Sequence, residues 1–425
     1  MERVPQLKRT IGRVQGTILT ISAVVGISVL ALPAVTAQEA GPAALVSWAL
    51  VAMLSFPIVW TLSEFAIRNP TAGGVIDYVS SAFGIRCGTA LGWTFLGAIP
   101  IGIPIVAVIG TQYAAHLGGW SGQAALWLAV GATTFSTLLN GRGLAAASRL
   151  QMAIVGVVVA LMILTVIAAW PLLHHDSLTP FAPRGWEAVG EAMVPIFFSF
   201  VGWEMVAPLV EEFRDPRRDV RVSMVVAAVV VSIIYGAFAY VTIGTGAYQQ
   251  SDGVMAFPLL IERTMGKPGI AAITTLACLV AFAALHINIA GYSRMLYAQA
   301  RNGSLPKSVG KLSARGKTPL NALLLVQVLF GATYLFIGIS GVEIGELIKW
   351  PSTVFVFAYS LTMAAAVKRF PKGGGVWWAA LVSLLSCLVV FWFCRWRVVL
   401  PLTSFVLGLQ FGRRPAAQLS RPAEN

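Results

Sequence analysis

The chain has 425 residues, of which 57% are hydrophobic and only 11% charged, against roughly 25% charged residues in a soluble globular protein. That balance excludes a disordered protein, a nucleic-acid-binding module and an ordinary soluble enzyme. The net charge of +13 does not call for an anionic partner, because Lys and Arg collect in the short cytoplasmic loops of polytopic membrane proteins whatever they do.

A bilayer-spanning helix takes about 20 predominantly apolar residues, and charged or Gly/Pro-rich breaks divide the chain into twelve apolar stretches. The first five run Val14–Thr36, Pro42–Ser63, Gly88–Ala115, Gln123–Leu139 and Leu150–Trp170. The next five run Ala188–Val210, Val222–Gly246, Gly269–Met295, Leu320–Ile339 and Ile344–Val367. Val376–Cys394 and a short Val398–Phe411 complete the set. The first stretch follows a basic segment but exceeds the 7–15 apolar residues of a signal peptide, so it is expected to stay as the first transmembrane helix. An even count puts both termini on one side. With both in the cytoplasm, all of the 30 basic residues but Arg184, Arg263, Lys267, Lys349, Arg395 and Arg397 fall on inner segments, as the positive-inside rule requires. The four cysteines form no CxxC pair and read as small buried residues, with neither a disulfide framework nor a metal site.

Two stretches look interrupted. In the first, Val25-Gly26-Ile27-Ser28 lies near the middle and Pro33 follows; in the sixth, Pro195, Gly202 and Pro208 interrupt Phe197-Phe198-Ser199-Phe200-Val201-Gly202-Trp203-Glu204. Lipid cannot hydrogen-bond freed peptide groups, so a helix broken at membrane depth must be buried in protein or line a cavity. The two interruptions lie five helices apart, and paired breaks at matching positions of two halves point to a transporter's binding site. Glu204 is a carboxyl inside an apolar span, which costs at least about 2.5 kcal/mol to insert. It is expected either to carry a proton or to hold the unwound turn to a neighbouring helix.

The eighth stretch holds His286 and Asn288. Residues two apart lie roughly 200° apart around a helix, so at most one of them faces a central site. His286 is a coupling or gating candidate, with helix packing as the simpler role; Lys349 is expected to snorkel from a helix end. The stretch from Glu211 to Asp219 is expected to be a solvated cytoplasmic connection or an inner gate. There is no HExxH, no P-loop and no Gly-rich loop after a strand, so neither an enzyme nor a cofactor is indicated.

At these same residues the chain resembles the amino acid–polyamine–organocation superfamily of secondary transporters. Gly26-Ile27-Ser28-Val29-Leu30 with Pro33 is similar to its G-S-G-V/I-F…P motif, and Phe198-Ser199-Phe200-Val201-Gly202-Trp203-Glu204 to its W/F-x-F-x-G-x-E. Pro70-Thr71-Ala72-Gly73-Gly74 resembles P-x-A-G-G, and the run from Arg294 to Pro306 resembles R-x-L-Y-x-x-A-R-x-G-x-L-P. Spans 1, 3 and 6 are most similar to bacterial exporters of methionine and branched-chain amino acids.

The resemblance implies an all-α membrane protein of LeuT-like fold. Residues 14–170 and 188–367 would form two inverted five-helix repeats, and 376–411 two further helices, between a cytoplasmic N-terminus (1–13) and tail (412–425). It implies alternating access, with the substrate's amino and carboxylate groups held by the backbone of Gly26, Ile27, Ser28, Phe198, Phe200 and Gly202. Phe198 and Asn288 would line the side-chain pocket, and Glu204 and His286 would serve coupling and gating. Three departures bear on this. Ser28 replaces the second glycine of the motif, Gly156 stands where some proton-coupled members have lysine, and span 8 lacks Ser or Thr between Thr275 and Ser293, where related folds bind sodium.

The expected function is secondary transport of small neutral, apolar amino acids across the inner membrane, as export, by proton coupling or exchange. Uptake of a similar amino acid, or antiport of a basic amino acid or polyamine, is the alternative. The expected partners are the amino acid, protons and the lipid bilayer, with the chain acting as a monomer or homodimer.

Overall fold

A chain this apolar has to close its backbone hydrogen bonds within its own segments if it is to sit in lipid. The computed structural model describes residues 11–69, 74–141, 148–249, 253–301, 305–312 and 318–411. Among these residues everything regular is helical, save an isolated bridge between Ile11 and Phe213.

The first expected span is two helices, α1 (Arg13–Val24) and α2 (Ser28–Ala40). They are followed by α3 (Ala44–Arg68), a short α4 (Val75–Phe83), α5 (Ile85–Gly118), α6 (Gly122–Gly141) and α7 (Ser148–Ala169). The sixth span is α8 (Glu187–Ser199) and a 3-10 segment, Trp203–Glu212. Then come α9 (Arg221–Gly244), α10 (Ala256–Arg301), α11 (Leu320–Ser340), α12 (Ile344–Arg369), α13 (Gly375–Phe393) and α14 (Val399–Phe411). Among the described residues, eight stretches are long and apolar enough to cross a membrane: Ser28–Arg68, Ile85–Gly118, Glu187–Ala207, Pro216–Gly244, Ala256–Tyr297, Leu320–Ser340, Ile344–Arg369 and Gly375–Phe393. The remaining expected spans are helical as well. The 13 residues of α14 reach only about 20 Å, less than a hydrocarbon core of about 30 Å.

Two features depart from the sequence reading. The nine residues of α4, between α3 and α5, pack Val75, Tyr78 and Val79 inward. The eighth span extends to Ala256, but Gly266 (φ 67°, ψ −163°) bends it, so that Ala256–Met265 forms a separate arm.

The helices approach one another where their side chains are small, as membrane packing favours. A methyl group on Gly408 of α14 would stand 2.6 Å from the Ala90 Cα of α5, and one on Gly110 of α5 the same distance from the Ala281 Cβ of α10. The halves of the two broken spans lie inside this bundle. α2 packs on α8 and α9, α1 on α9, and α3 covers both α8 and α9. From Val29 to Ala34 every residue of α2 is buried, which accounts for a segment apolar on all sides.

Candidate functional site

In the first span the helical ladder stops at Val24 and restarts at Ser28, with Val25 extended (φ −71°, ψ 106°). Neither new end has a side-chain cap. The last carbonyls of α1 and the first N–H groups of α2 are therefore left over at one level. In the sixth span the ladder stops at Ser199 and restarts at Trp203, through Gly202 at φ 126°, ψ −10°. Two helix C-termini, partly negative, and two N-terminal ends, partly positive, thus face a single region.

The two breaks touch. A Cβ on Gly202 would lie 2.4 Å from the Ala23 carbonyl oxygen and 3.2 Å from the Val24 Cα, so only glycine permits both this backbone angle and this approach. Gly26, by contrast, borders open space, with only the Ser28 hydroxyl within 4 Å of such a Cβ. One carbonyl of α1 is claimed from outside the break, since the Tyr235 hydroxyl of α9 donates to Val24 O at 3.3 Å. Phe200 packs on Tyr235 and Trp48, with ring centroids 5.2 and 6.3 Å away. Phe198 turns the other way, to Phe355 of α12 at 6.0 Å and toward Gly102 of α5.

Glu204 is buried and braces the sixth-span break. Its Oε2 accepts the Gly202 N–H at 3.1 Å and a hydrogen bond from the Tyr359 hydroxyl of α12. Two further buried polar groups stand in the same segment without a partner, Ser199 Oγ and Trp203 Nε1. An unsatisfied buried donor or hydroxyl costs about 1–3 kcal/mol, and it is the kind of group that a bound solute satisfies.

Charged collars tie both ends of the broken first span. At one end, Lys349 Nζ lies 2.6 Å from Glu39 Oε1 of α2 and 2.5 Å from Glu346 Oε1, and Arg397 closes on Glu346 from beyond α13. Arg395 bonds Glu191 and Glu187 at the start of α8, each at 2.7 Å. Lys349 is only 7% exposed, so it does not snorkel, because two carboxylates hold it inside. At the other end, Arg13 Nε donates to Asp219 Oδ1 at 2.7 Å. The Arg214 N–H bonds Ile11 O at 2.9 Å, and Arg221 and Arg68 share Glu64. Phe213 and Asp219 are buried, so this connection is not simply solvated.

Residues 11–407 match the model of the amino acid permease family. The chain belongs to that family, within the amino acid–polyamine–organocation superfamily. It is 38% identical to the amino acid permease YecA of Bacillus subtilis, over 95% of this chain and 96% of that one. It is 29% identical to the L-methionine/branched-chain amino acid exporter YjeH of Escherichia coli, over 92% and 93%. To the branched-chain amino acid permease BcaP of Bacillus subtilis it is 25% identical, over 95% and 92%. The protein is a multi-pass membrane transporter of amino acids.

Within this permease the structure gathers Gly26, Ile27, Ser28, Phe200, Gly202 and Glu204 around the two breaks, with Phe198 at their edge. It does not bring the pair on α10 to them. His286 is buried against α6, its Nδ1 3.2 Å from Ser136 Oγ and 3.1 Å from Asn140 Nδ2, and stacks on Phe282. Asn288, on the opposite face, donates to Ala284 O of its own helix at 2.8 Å. The P-x-A-G-G residues 70–73 and the 302–304 part of the loop motif lie outside the described residues. Sequence reasoning missed Tyr359, Tyr235, Glu39 and the unpartnered Ser199 and Trp203. The last two stand inside the motif that carried the resemblance, and the others become visible only through contacts between distant segments.

Proposed function

We propose that this permease is a twelve-helix carrier of LeuT type that moves small neutral, apolar amino acids across the inner membrane. Residues 14–170 and 188–367 act as inverted repeats, both termini are cytoplasmic, and transport runs outward by proton coupling or exchange. One observation carries this reading: two interrupted helices touch at Gly202 and Ala23, leaving both signs of helix-end charge at one level. A zwitterion is complementary to that arrangement, its carboxylate meeting the N–H groups of Gly26, Ile27 and Ser28, its ammonium the carbonyls freed around Phe198, Phe200 and Gly202.

The side-chain subsite beside Phe198, Phe355 and Gly102 has aromatic and backbone surfaces, which suits an apolar side chain. The names of the exporter and branched-chain permease relatives support the same substrate class. Coupling is assigned to Glu204 rather than His286, since only Glu204 bonds the break itself. Alternation follows if the two collars open in turn, one freeing α2 from Lys349 and the other freeing α1 from Asp219.

Counterflow in proteoliposomes tests this, with labelled methionine, leucine, arginine and putrescine, each with and without a pH gradient. Exchange of leucine and methionine alone is expected, accelerated by the gradient if transport is proton-coupled. Exchange confined to arginine and putrescine would overturn the substrate class.

A further inference from the structure

Away from the breaks, α5, α6 and α10 enclose a hollow of about 620 Å³. Its walls are the small residues Ala107, Gly110, Ala114 and Ala132, and small side chains leave space where larger ones would fill it. Its rim is formed by Leu117, Trp120 and Leu279, which are 45%, 57% and 50% exposed. The rim continues into Trp127, Leu128 and Phe135, exposed along α6. This is the apolar surface that α6 turns outward, so the hollow opens onto the bilayer.

The polar groups in the hollow offer little to water. Thr111 bonds Ala107 O at 3.0 Å, Thr275 bonds Ala271 O at 2.9 Å, and Cys278 Sγ bonds Gly110 O at 3.4 Å. Thr274 differs from them. It is 3% exposed, it lines the hollow, and its hydroxyl has no partner. It stands eight residues beyond the Gly266 bend, about 12 Å along the helix. Past that bend α10 has 35 residues, about 52 Å, against roughly 40–45 Å for a bilayer with its headgroups. Thr274 therefore falls near the border of headgroups and hydrocarbon, on the side of the turn between α5 and α6.

We propose that this hollow binds one phospholipid, whose acyl chain fills the space between α5, α6 and α10 while an ester carbonyl accepts the Thr274 hydroxyl. The chain's methylenes match an apolar wall open to the hydrocarbon, and the ester oxygen supplies the partner that the hydroxyl lacks. The hollow's floor at Gly110 backs onto Ile27 of the first-span break, whose Cδ1 lies 3.5 Å from that glycine's Cβ position. A seated lipid thus packs on the wall behind the candidate site without entering it.

Photolabelling of the full chain, reconstituted with phosphatidylethanolamine bearing a diazirine on one acyl chain, tests the proposal. Label is expected to concentrate on 107–118 and 274–285, above the other lipid-facing helices. Ala114→Phe should lower that label about tenfold, the loss expected when about two methylene groups are kept from a buried contact. Thr274→Val, which keeps the shape and removes the hydroxyl, should lower it about fivefold. The isosteric variant keeps the test informative if Ala114→Phe folds poorly. Label spread evenly over the outer helices, or unchanged in Thr274→Val, would overturn the proposal. So would label displaced by excess leucine, which would make the hollow a vestibule for solute. None of these readouts depends on transport, so the lipid site and the proposed substrate can fail separately.

Discussion

Two glycines in the breaks have opposite jobs. Gly202 combines φ 126° with a Cβ position 2.4 Å from a backbone oxygen, and a non-glycine residue in such a region costs about 1–3 kcal/mol before any clash is counted. Gly202→Ala is expected to lower the thermal midpoint by several degrees in detergent and to abolish counterflow. Gly26 has room for a methyl, so Gly26→Ala should leave stability within about 0.5 kcal/mol while weakening substrate binding, because the methyl enters the space the solute needs. Unaltered affinity in Gly26→Ala would remove this residue from the site. Glu204 and Tyr359 can be separated in the same way. Glu204→Gln keeps an acceptor for Gly202 but cannot exchange a proton, so flux driven by a pH gradient should disappear while exchange persists. Tyr359→Phe removes one donor to the carboxyl, a cost of about 1–3 kcal/mol, and should reduce rate with the gradient response retained. Gradient-driven flux at wild-type level in Glu204→Gln proteoliposomes would leave the carboxyl as a brace alone.

The collars act between elements, joining α2 to α12 at one end and α1 to the segment ahead of α9 at the other. Lys349 is buried between two carboxylates, so Lys349→Met strands Glu39 and should cost about 3–5 kcal/mol, the usual penalty for breaking a buried pair from one side. Adding Glu39→Gln removes the stranded charge and should restore much of that loss, as read by thermal unfolding of the double-mutant cycle; strictly additive losses would show that the pair is not coupled. The other collar differs because the side chain of Arg13 is 45% exposed, and water screens such a pair. Arg13→Gln is expected to change stability by at most about 1 kcal/mol yet to loosen α1 from Asp219. The readout is faster maleimide labelling of a cysteine introduced at Ser28, applied from the side that bears Arg13. Labelling at the parent rate would mean that this contact does not close the path.

For the whole molecule, both collars are formed at once while the breaks between them hold unpartnered backbone ends and two unpartnered buried side-chain groups. Under the proposed alternation one collar opens at a time, so solute affinity and collar strength would draw on one conformational equilibrium, and a ligand shifts such an equilibrium only as far as it binds one form better. The expected apolar stretches are helical, the first as two helices and the sixth as a helix followed by a 3-10 segment, but how they associate was much less visible. Small residues at Gly110, Gly190 and Gly408 let neighbouring helices approach, and nothing in the local pattern distinguishes these glycines from Gly156, which borders open space.

By itself the sequence determined that this is a helical membrane protein and where two of its helices break. Apolar run length and the placement of Gly and Pro are local properties, and lipid enforces them residue by residue. The same reasoning separated His286 from Asn288, because helical periodicity fixes their faces before any packing is known. Tertiary structure alone decided that His286 pairs with α6, that Tyr359 braces Glu204 and that Lys349 is caught between Glu39 and Glu346. It also revealed the inward packing of α4, too short to register in a hydropathy pattern, and the bend at Gly266. Partners far apart along the chain leave no periodic trace, so only the packed bundle shows which polar groups are satisfied and which, like Ser199, Trp203 and Thr274, are buried without a partner.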